Sequence, residues 1–252
     1  YETWKTDTEV QDPNQRSITD TWLTQRGAFL ERKDWFGKNN INPVNPKYTI
    51  NAQDEEYLKE SDKYFDVASD YTIMQGPLRD NTHLHYFGGD KKDTISGGTV
   101  ADWLFGGDEA DNLSGKSGDD YIEGNSGDDV LNGGEDNDTL NGGTGIDEYK
   151  FEDKSGYDVI IDSDGKGSIY LNGSKLTSDG LIKLRDGAFE SADHNIHATI
   201  VGDKDNQSLE ISFNDSLGNS NNISVKNWKD GNFDLNLESK SDFSITPEST
   251  QT

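Results

Sequence analysis

A nine-residue period in the middle of the chain constrains its fold more than any other feature. From Gly88 the period recurs seven times without a break: GGDKKDTIS, GGTVADWLF, GGDEADNLS, GKSGDDYIE, GNSGDDVLN, GGEDNDTLN and GGTGIDEYK. Position one is glycine and position six is aspartate in every repeat, and position eight always carries a large side chain. A flexible linker rich in Gly and Asp would share this composition, but its Gly, Asp and large residues would not recur at the same positions of every repeat. We therefore predict a solenoid in which each repeat stacks on its neighbours.

The chemistry of each position predicts a turn followed by a short strand. Glycines at positions one, two and four suit a tight turn, because glycine tolerates positive φ and close backbone approach. Positions seven to nine form the strand, so the side chain at position eight points to one face and its neighbours point to the other. The residues at position eight are Ile95, Leu104, Leu113, Ile122, Leu131, Leu140 and Tyr149. They build a thin core that fills only when many coils stack.

The composition indicates that a cation contributes to folding. The chain has 49 Asp and Glu against 23 Lys and Arg, a formal net charge of −26, and only 30% hydrophobic residues. Such a balance is typical of disordered chains. Ten Phe, ten Tyr and five Trp nevertheless give the chain large apolar surfaces to bury. Both facts are compatible if a cation supplies folding free energy, and abundant carboxylate oxygens favour a hard cation such as calcium.

Several classes of protein are excluded by charge and by missing residue types. A charge of −26 would repel a phosphate backbone, so no nucleic-acid partner is expected. No run approaches the ~18 apolar residues of a transmembrane segment. The absence of cysteine excludes disulfides and thiolate chemistry. No signal peptide opens the chain, and its first residue is Tyr1 rather than Met, so we expect a fragment of a longer protein.

The repeat resembles the G-G-x-G-x-D-x-U-x nonapeptide of the RTX (repeats-in-toxin) calcium-binding proteins. In the RTX β-roll, two nonapeptides make one right-handed turn, so equivalent turns stack every 18 residues. The resemblance therefore implies a mainly β protein with a parallel β-roll over residues 88–150. It also implies two rows of carboxylates, one from Asp93, Asp111, Asp129 and Asp147, the other from Asp102, Asp120 and Asp138.

The resemblance further implies calcium ions between stacked turns. Two Asp carboxylates and the backbone carbonyls of the turns supply about six oxygens for each ion. At one strand spacing (~4.8 Å) and an effective dielectric of ~20, adjacent carboxylates repel by roughly 3 kcal/mol, so the stack should not close without cations. Seven repeats enclose about five such sites, and one more is possible where the flank replaces a repeat. The turn glycines expected to contribute are Gly97, Gly98, Gly106, Gly107, Gly115, Gly118, Gly124, Gly127, Gly133, Gly134, Gly142, Gly143 and Gly145.

The repeats depart from the family pattern mainly at the N-terminal end of the array. Position four is not glycine in repeats one, two, three and six, where it is Lys91, Val100, Glu109 and Asp136. Position two is Lys116 and Asn125 in repeats four and five. A side chain at position four strains the turn, and Lys91 brings a positive charge near the ion. We therefore expect the N-terminal sites to bind calcium least well.

Residues 151–240 predict a β-rich cap at the C-terminal end of the roll. Strand-like runs at 167–173, 181–187, 195–203, 208–215, 222–228 and 233–238 alternate with turn signals such as Asp-Gly and Gly-Asn. The region also resembles the segment that follows the repeats in RTX hemolysins and lipases. The last residues, 241–252, are polar and are expected to be a loose tail.

Residues 1–87 resemble no family, and their pattern predicts a small, partly helical segment. Helices are expected from Ser17 to about Lys33 and from Ala52 to about Tyr64, and a strand over Tyr71–Met74. This segment is either a cap on the roll or the end of an upstream domain. It is also the simplest cover for three aromatic side chains that point outward from one sheet, Trp103, Phe105 and Tyr121. The alternative is that these aromatics form an exposed surface for a ligand or partner.

No catalytic constellation is visible in the sequence. The chain contains neither H-E-x-x-H nor G-x-S-x-G, the signatures of RTX metalloproteases and lipases. His83 and His85 lie on one face of a possible strand without a third metal ligand, and His194 and His197 fall near a surface turn. The Asp12-Pro13 bond resembles the bond cut in self-processing RTX proteins, but its surroundings favour a simple turn.

The leading hypothesis is a calcium-binding RTX module of a large secreted protein, a toxin, adhesin or exoenzyme of a Gram-negative bacterium. By the family resemblance, the parent protein is exported by type I secretion machinery, unfolded in the cytosol and folded by extracellular calcium. The first alternative is a ligand-binding adhesin module for a host surface, whose ligand is unknown. The second is the C-terminal part of an RTX lipase-type enzyme. The fragment itself is not expected to be an enzyme.

Overall fold

The residues that the structure describes form a parallel β-solenoid joined to an antiparallel β-cap, with almost no helix among them. The computed structural model describes residues 62–66, 83–89 and 91–238. The predicted helix from Ser17 and the predicted strand over Tyr71–Met74 lie outside these residues. The second predicted helix was expected to reach Tyr64, but Asp62–Asp66 forms a strand, so that prediction is wrong at its C-terminal end.

Two sheets form the solenoid, and the strands of the repeats alternate between them. Among the described residues, the larger sheet has 11 strands: β1 Asp62–Asp66, β2 His83–Phe87, β4 Trp103–Asp108, β6 Tyr121–Ser126, β8 Thr139–Thr144, β10 Tyr157–Ile160, β13 Leu181–Arg185, β14 Ala188–Ser191, β15 Ile196–Asp203, β16 Asn206–Asn214 and β17 Ser220–Val225. The smaller sheet has six: β3 Thr94–Ser96, β5 Asn112–Ser117, β7 Val130–Glu135, β9 Asp147–Phe151, β11 Gly167–Leu171 and β12 Ser174–Lys175. Across the larger sheet the order is β1-β2-β4-β6-β8-β10-β17-β16-β15-β14-β13, and across the smaller it is β12-β11-β9-β7-β5-β3.

The register within each sheet confirms that two nonapeptides make one turn. Leu104 pairs with Ile122 in the larger sheet, and Leu113 pairs with Leu131 in the smaller one, in both cases 18 residues apart. Every pair of neighbouring repeat strands is parallel, which gives a solenoid of about 5 turns.

The side chains at position eight fill the space between the two sheets. All seven are 0% or 1% exposed, as the strand alternation predicts. The same column continues beyond the array through Ile160 and Ile169, which are also buried. The thin core therefore extends past the last sequence repeat and into the flank.

The C-terminal flank continues the larger sheet as an antiparallel meander. Strand β17 pairs in parallel with β10, and β16, β15, β14 and β13 follow it in antiparallel order. The strand predictions at 167–173, 181–187, 195–203, 208–215 and 222–228 are confirmed, while β10, β12 and β14 have no counterpart among the predictions. The cap therefore shares a hydrogen-bonded sheet with the roll.

The predicted strand at 233–238 is wrong, because Asn232–Asp234 forms a 3-10 turn instead. Phe233, Leu235 and Leu237 are nevertheless buried. The ring of Phe233 packs edge-on against Tyr149, with 5.7 Å between the ring centroids. This segment therefore covers the C-terminal end of the solenoid core.

The aromatic residues on the outer face of the larger sheet form a partly buried cluster. Phe87 stacks on Phe105 at 5.0 Å between centroids, and Trp103 lies 5.0 Å from Tyr121. Phe105 is 0% exposed, and Trp103 and Tyr121 are half-buried. Trp103 and Tyr121 are thus partly accessible at the surface, and ligand binding by these aromatic residues stays a prediction.

Candidate metal sites

The turns of repeats three to seven share one backbone conformation. Positions two and four have positive φ in all five of these repeats, at Gly107, Lys116, Asn125, Gly134 and Gly143 and at Glu109, Gly118, Gly127, Asp136 and Gly145. The non-glycine residues in this set accept a left-handed conformation, which costs a residue about 1–2 kcal/mol. In repeat two, Gly98 and Val100 do not adopt it. The turn geometry is therefore uniform only from the third repeat onward.

Close packing of stacked turns explains the glycines at positions one and four. A Cβ added to Gly106 would lie 2.3 Å from Oδ2 of Asp111, because the aspartate folds back over the turn of its own repeat. A Cβ added to Gly145 would lie 1.8 Å from the carbonyl oxygen of Gly127, the equivalent residue one turn earlier. The turns therefore bring carboxylates and backbone carbonyls together in the narrow space between neighbouring coils.

The position-six aspartates form the two rows that the sequence predicts. In the first row, the N–H groups of Asp93, Asp111 and Asp129 donate to Oδ1 of the aspartate one turn later, at 2.7, 2.7 and 2.9 Å. In the second row, Asp102 and Asp120 donate in the same way at 2.7 and 2.8 Å. Each row lies on one edge of the roll, and all seven carboxylates are buried.

One oxygen of each later aspartate has no hydrogen-bond partner. The buried Oδ2 atoms without a partner are those of Asp111, Asp120, Asp129, Asp138 and Asp147. A buried, unpaired carboxylate is costly. Five such atoms arranged in two rows, with turn carbonyls nearby, form the donor set that a calcium ion prefers.

The first two aspartates differ from the other five. Oδ2 of Asp93 accepts a hydrogen bond from the N–H of Gly89 at 3.0 Å, and Oδ2 of Asp102 accepts one from Gly98 at 2.5 Å. These oxygens are directed at their own turns. This geometry agrees with the sequence-based expectation that the N-terminal sites are the weakest, which remains a prediction.

Burial raises the pKa of every aspartate with an orphaned oxygen. It raises the pKa to about 8 for Asp111, about 9 for Asp120, about 7 for Asp129, about 8 for Asp138 and about 8 for Asp147. The backbone hydrogen bond from the preceding turn lowers each pKa, and a neighbouring carboxylate raises it further. Without a cation, burial therefore opposes full ionisation of the two rows at neutral pH.

Two carboxylates per site are consistent with the rest of the described structure. Within residues 83–89 and 91–238, no three His, Cys, Asp or Glu side chains are grouped to hold a metal. With two position-six carboxylates in each gap, an ion between turns would take its remaining oxygens from backbone carbonyls and water, since calcium accepts six to eight oxygens.

The structure adds one aspartate that the sequence analysis missed. The N–H of Asp138 donates to Oδ1 of Asp158 at 2.9 Å, which continues the second row by one turn. Asp158 is 1% exposed, and burial raises its pKa to about 7. Its other oxygen accepts a hydrogen bond from the hydroxyl of Ser155.

Asp158 belongs to an eighth repeat, DKSGYDVII, over residues 153–161. Lys154 and Gly156 have positive φ at its second and fourth positions, and Ile160 is buried at its eighth. Phe151 and Glu152 are inserted before it, so its spacing from Asp138 is 20 residues instead of 18. The sequence does carry a signal for this repeat. Asp158 is preceded by glycine at position 156 and followed by a large apolar residue at position 160, the same spacing as in the array.

The four histidines take no part in these rows. Nδ1 of His83 lies 2.5 Å from the carbonyl oxygen of Ala101, and the ring of His85 stacks on Trp103. Near the far end of the cap, His194 and His197 both contact the carboxylate of Glu190, at 2.7 and 3.2 Å. His194 lies in a turn, as predicted, whereas His197 lies within β15.

Comparison with known proteins supports this assignment for the repeats. The family model of the RTX calcium-binding nonapeptide repeat (four copies) matches residues 87–122 and 114–149. A search of curated proteins gives no significant match. Among solved structures, the solution structure of the AlgE6R2 subunit of the Azotobacter vinelandii mannuronan C5-epimerase is similar over 58% of this chain and 94% of that chain, with 20% identity and a TM-score of 0.36. The matched repeats and the two rows of buried aspartates identify residues 87–149 as a member of the RTX calcium-binding nonapeptide repeats.

Proposed function

We propose that this chain is a calcium-dependent folding module of a large secreted protein. The observation that carries the proposal is the set of five buried carboxylate oxygens without partners, aligned in two rows. RTX repeats bind calcium, and they are typical of extracellular proteins. Calcium would occupy the gaps between turns and neutralise the rows, so the roll would be stable only where calcium is abundant.

The chemistry of the sites fits export in an unfolded state. Extracellular calcium modules bind with Kd values of about 10⁻⁴–10⁻³ M, far above the free calcium of a cytosol. Binding free energy of a metal is then folding free energy, because the ligands come together only in the folded chain. Passage through a type I secretion channel would be followed by folding in extracellular calcium. No helix of the described residues is long and apolar enough to cross a membrane.

The proposed ion positions follow the hydrogen-bonded aspartate pairs. Five sites lie between Asp93 and Asp111, Asp102 and Asp120, Asp111 and Asp129, Asp120 and Asp138, and Asp129 and Asp147. A sixth lies between Asp138 and Asp158. We assign this chain no catalytic role.

The test is a calcium titration of the chelator-treated chain, followed by far-UV circular dichroism. We expect a cooperative gain of β signal at millimolar calcium and no such gain with magnesium, which requires a smaller octahedral shell. A spectrum that does not change between chelator and calcium would overturn the proposal.

A further inference from the structure

The first aspartate row ends at Asp147 because no aspartate can follow it. In the next turn, the residue paired with Asp147 is Gly167. A Cβ at Gly167 would lie 2.2 Å from the carbonyl oxygen of Asp147, and the φ of Gly167 is 132°. A side chain is therefore excluded at this position. Oδ2 of Asp147 is nevertheless buried and has no hydrogen-bond partner.

The turn before β11 supplies carboxylates from other positions. It has the sequence Asp162-Ser163-Asp164-Gly165 and lies over the last turn of the array, where the N–H of Gly145 faces Oδ2 of Asp164 at 3.4 Å. The carboxylate of Asp164 therefore lies against the turn of the seventh repeat, which also carries Asp147.

The hydroxyl of Tyr149 joins Asp162 to the end of the row. It donates to Oδ2 of Asp162 at 2.6 Å and accepts from the N–H of Gly142 at 2.8 Å. A Cβ at Gly142 would lie 2.2 Å from Oδ2 of Asp147 and 2.3 Å from this hydroxyl, so both groups approach the same point above the turn. Every other repeat has Ile or Leu at position eight, so this hydroxyl is specific to the seventh repeat.

We infer that Asp147 and Asp162 form an additional calcium site at the junction between the RTX array and its cap. Asp162 is the first residue of its turn, and its carboxylate takes the place of the missing position-six aspartate. Asp164 adds negative charge beside the ion. The remaining oxygens would come from turn carbonyls and water. This inference rests on the proposed calcium-dependent function and extends it to a site built partly from residues outside the nonapeptide array.

The test compares the calcium stoichiometry of the wild-type chain with that of Asp162→Asn, measured by isothermal titration calorimetry. The amide oxygen of asparagine can still accept the hydrogen bonds that Asp162 Oδ1 receives from Asp164 and Gly165, at 3.0 and 2.6 Å. We expect the variant to bind one ion fewer, or to bind one ion at least tenfold more weakly. The control is Asp186→Asn, which makes the same charge change at a side chain that is 97% exposed. It should bind as the wild type does.

The outcomes separate this inference from the proposed function. Equal stoichiometry and affinity in wild type and Asp162→Asn would show that Asp162 only holds its turn, and would overturn the inference while the array still bound calcium. A wild-type chain that bound no calcium would overturn the proposed function itself. If Asp162→Asn did not fold in calcium, Asp164→Asn provides the second test. We expect it to weaken one ion severalfold, and unchanged binding would contradict the site.

Discussion

At the scale of single residues, the position-six aspartates fall into two groups, which differ in whether the Oδ2 atom accepts a hydrogen bond. Oδ2 of Asp93 and Asp102 is satisfied by an N–H of the same turn, whereas Oδ2 of the five later aspartates is orphaned. An orphaned, buried oxygen gains most from a cation, since it has lost its water and has no other partner. The orphaned oxygens therefore extend from the third repeat to the C-terminal end of the array.

This division predicts unequal effects of two alanine substitutions. Asp147→Ala removes a carboxylate that lies beside the cap and has an orphaned oxygen, so we expect it to weaken calcium-induced folding of the whole roll. Asp93→Ala removes a carboxylate whose second oxygen is already satisfied by Gly89, so we expect only fraying of the first coil. Calcium titrations followed by circular dichroism measure both effects. Equal damage from the two substitutions would contradict the division.

The pKa values of the aspartates predict how the calcium-free chain responds to pH. Burial raises the pKa of five of them to between about 7 and about 9, against an ordinary value of 3.8. A carboxyl group with a raised pKa stabilises the folded state fully below its unfolded pKa, and that contribution is lost as pH rises through the folded pKa. In chelator, β signal should therefore increase as the pH falls from about 9 toward about 4.

The same groups couple calcium binding to proton release. Calcium requires ionised carboxylates, so the calcium concentration at the folding midpoint should fall as the pH rises from about 6 to about 9. Circular dichroism with chelator and with calcium, each across this pH range, measures both trends. A calcium-free β signal that stays flat or decreases on acidification over this range would contradict the assigned burial of the rows.

At the scale of strands and turns, the features that could be predicted from the sequence are those that follow the regular nine-residue spacing. The fixed spacing of Asp and of the large residue at position eight predicted both rows and the core, because one register satisfies all seven repeats. The eighth repeat was missed because two inserted residues, Phe151 and Glu152, shift its phase, and because aspartate replaces glycine at its first position. Gly167 could not have been interpreted from the pattern, since its role depends on contact with Asp147 one turn away.

The wrong strand at 233–238 shows the limit of alternation as a signal. Phe233, Leu235 and Leu237 alternate with polar residues and are buried, as in a half-buried strand. Gly231, Phe233 and Asp234 have positive φ, so the backbone curls instead of extending. Alternation predicted which side chains are buried but not the backbone path, because the curl is fixed by tertiary contacts such as the hydrogen bond from Phe233 N–H to the carbonyl oxygen of Gly165.

The segment that covers the end of the core should contribute measurably to stability. Phe233 is 2% exposed and packs on Tyr149, so Phe233→Ala leaves a cavity at the end of the solenoid. Such truncations cost about 3–5 kcal/mol. Urea unfolding in saturating calcium measures the loss, and the exposed Leu217, substituted by alanine, is the control. A loss at Phe233 no larger than that at Leu217 would mean that the end of the core does not depend on this segment.

At the scale of the whole molecule, the roll and the cap share one sheet and one continuous core. Strand β10 carries the last aspartate of the second row and pairs on one side with β8 and on the other with β17. The cap is further joined to the roll by Asp215, which accepts the N–H of Lys154 at 2.9 Å. Solenoids fold through nearest-neighbour coupling, and a coil next to a stable cap begins with one neighbour already in place.

This continuity predicts the direction in which calcium folds the chain. The orphaned oxygens, the uniform turns and the cap all lie toward the C-terminal end of the array, whereas repeat two lacks the shared turn conformation. As calcium is raised, hydrogen exchange should show protection first in β8, β9, β10 and the cap, and last in β3 and β4. Deleting residues 151–240 should remove the nucleus and raise the calcium needed for folding severalfold or abolish folding. Protection that begins near Gly88 would contradict folding from the C-terminal end, and so would a truncated chain that folds at unchanged calcium. In either case the N-terminal coils would have to nucleate the roll without a cap beside them.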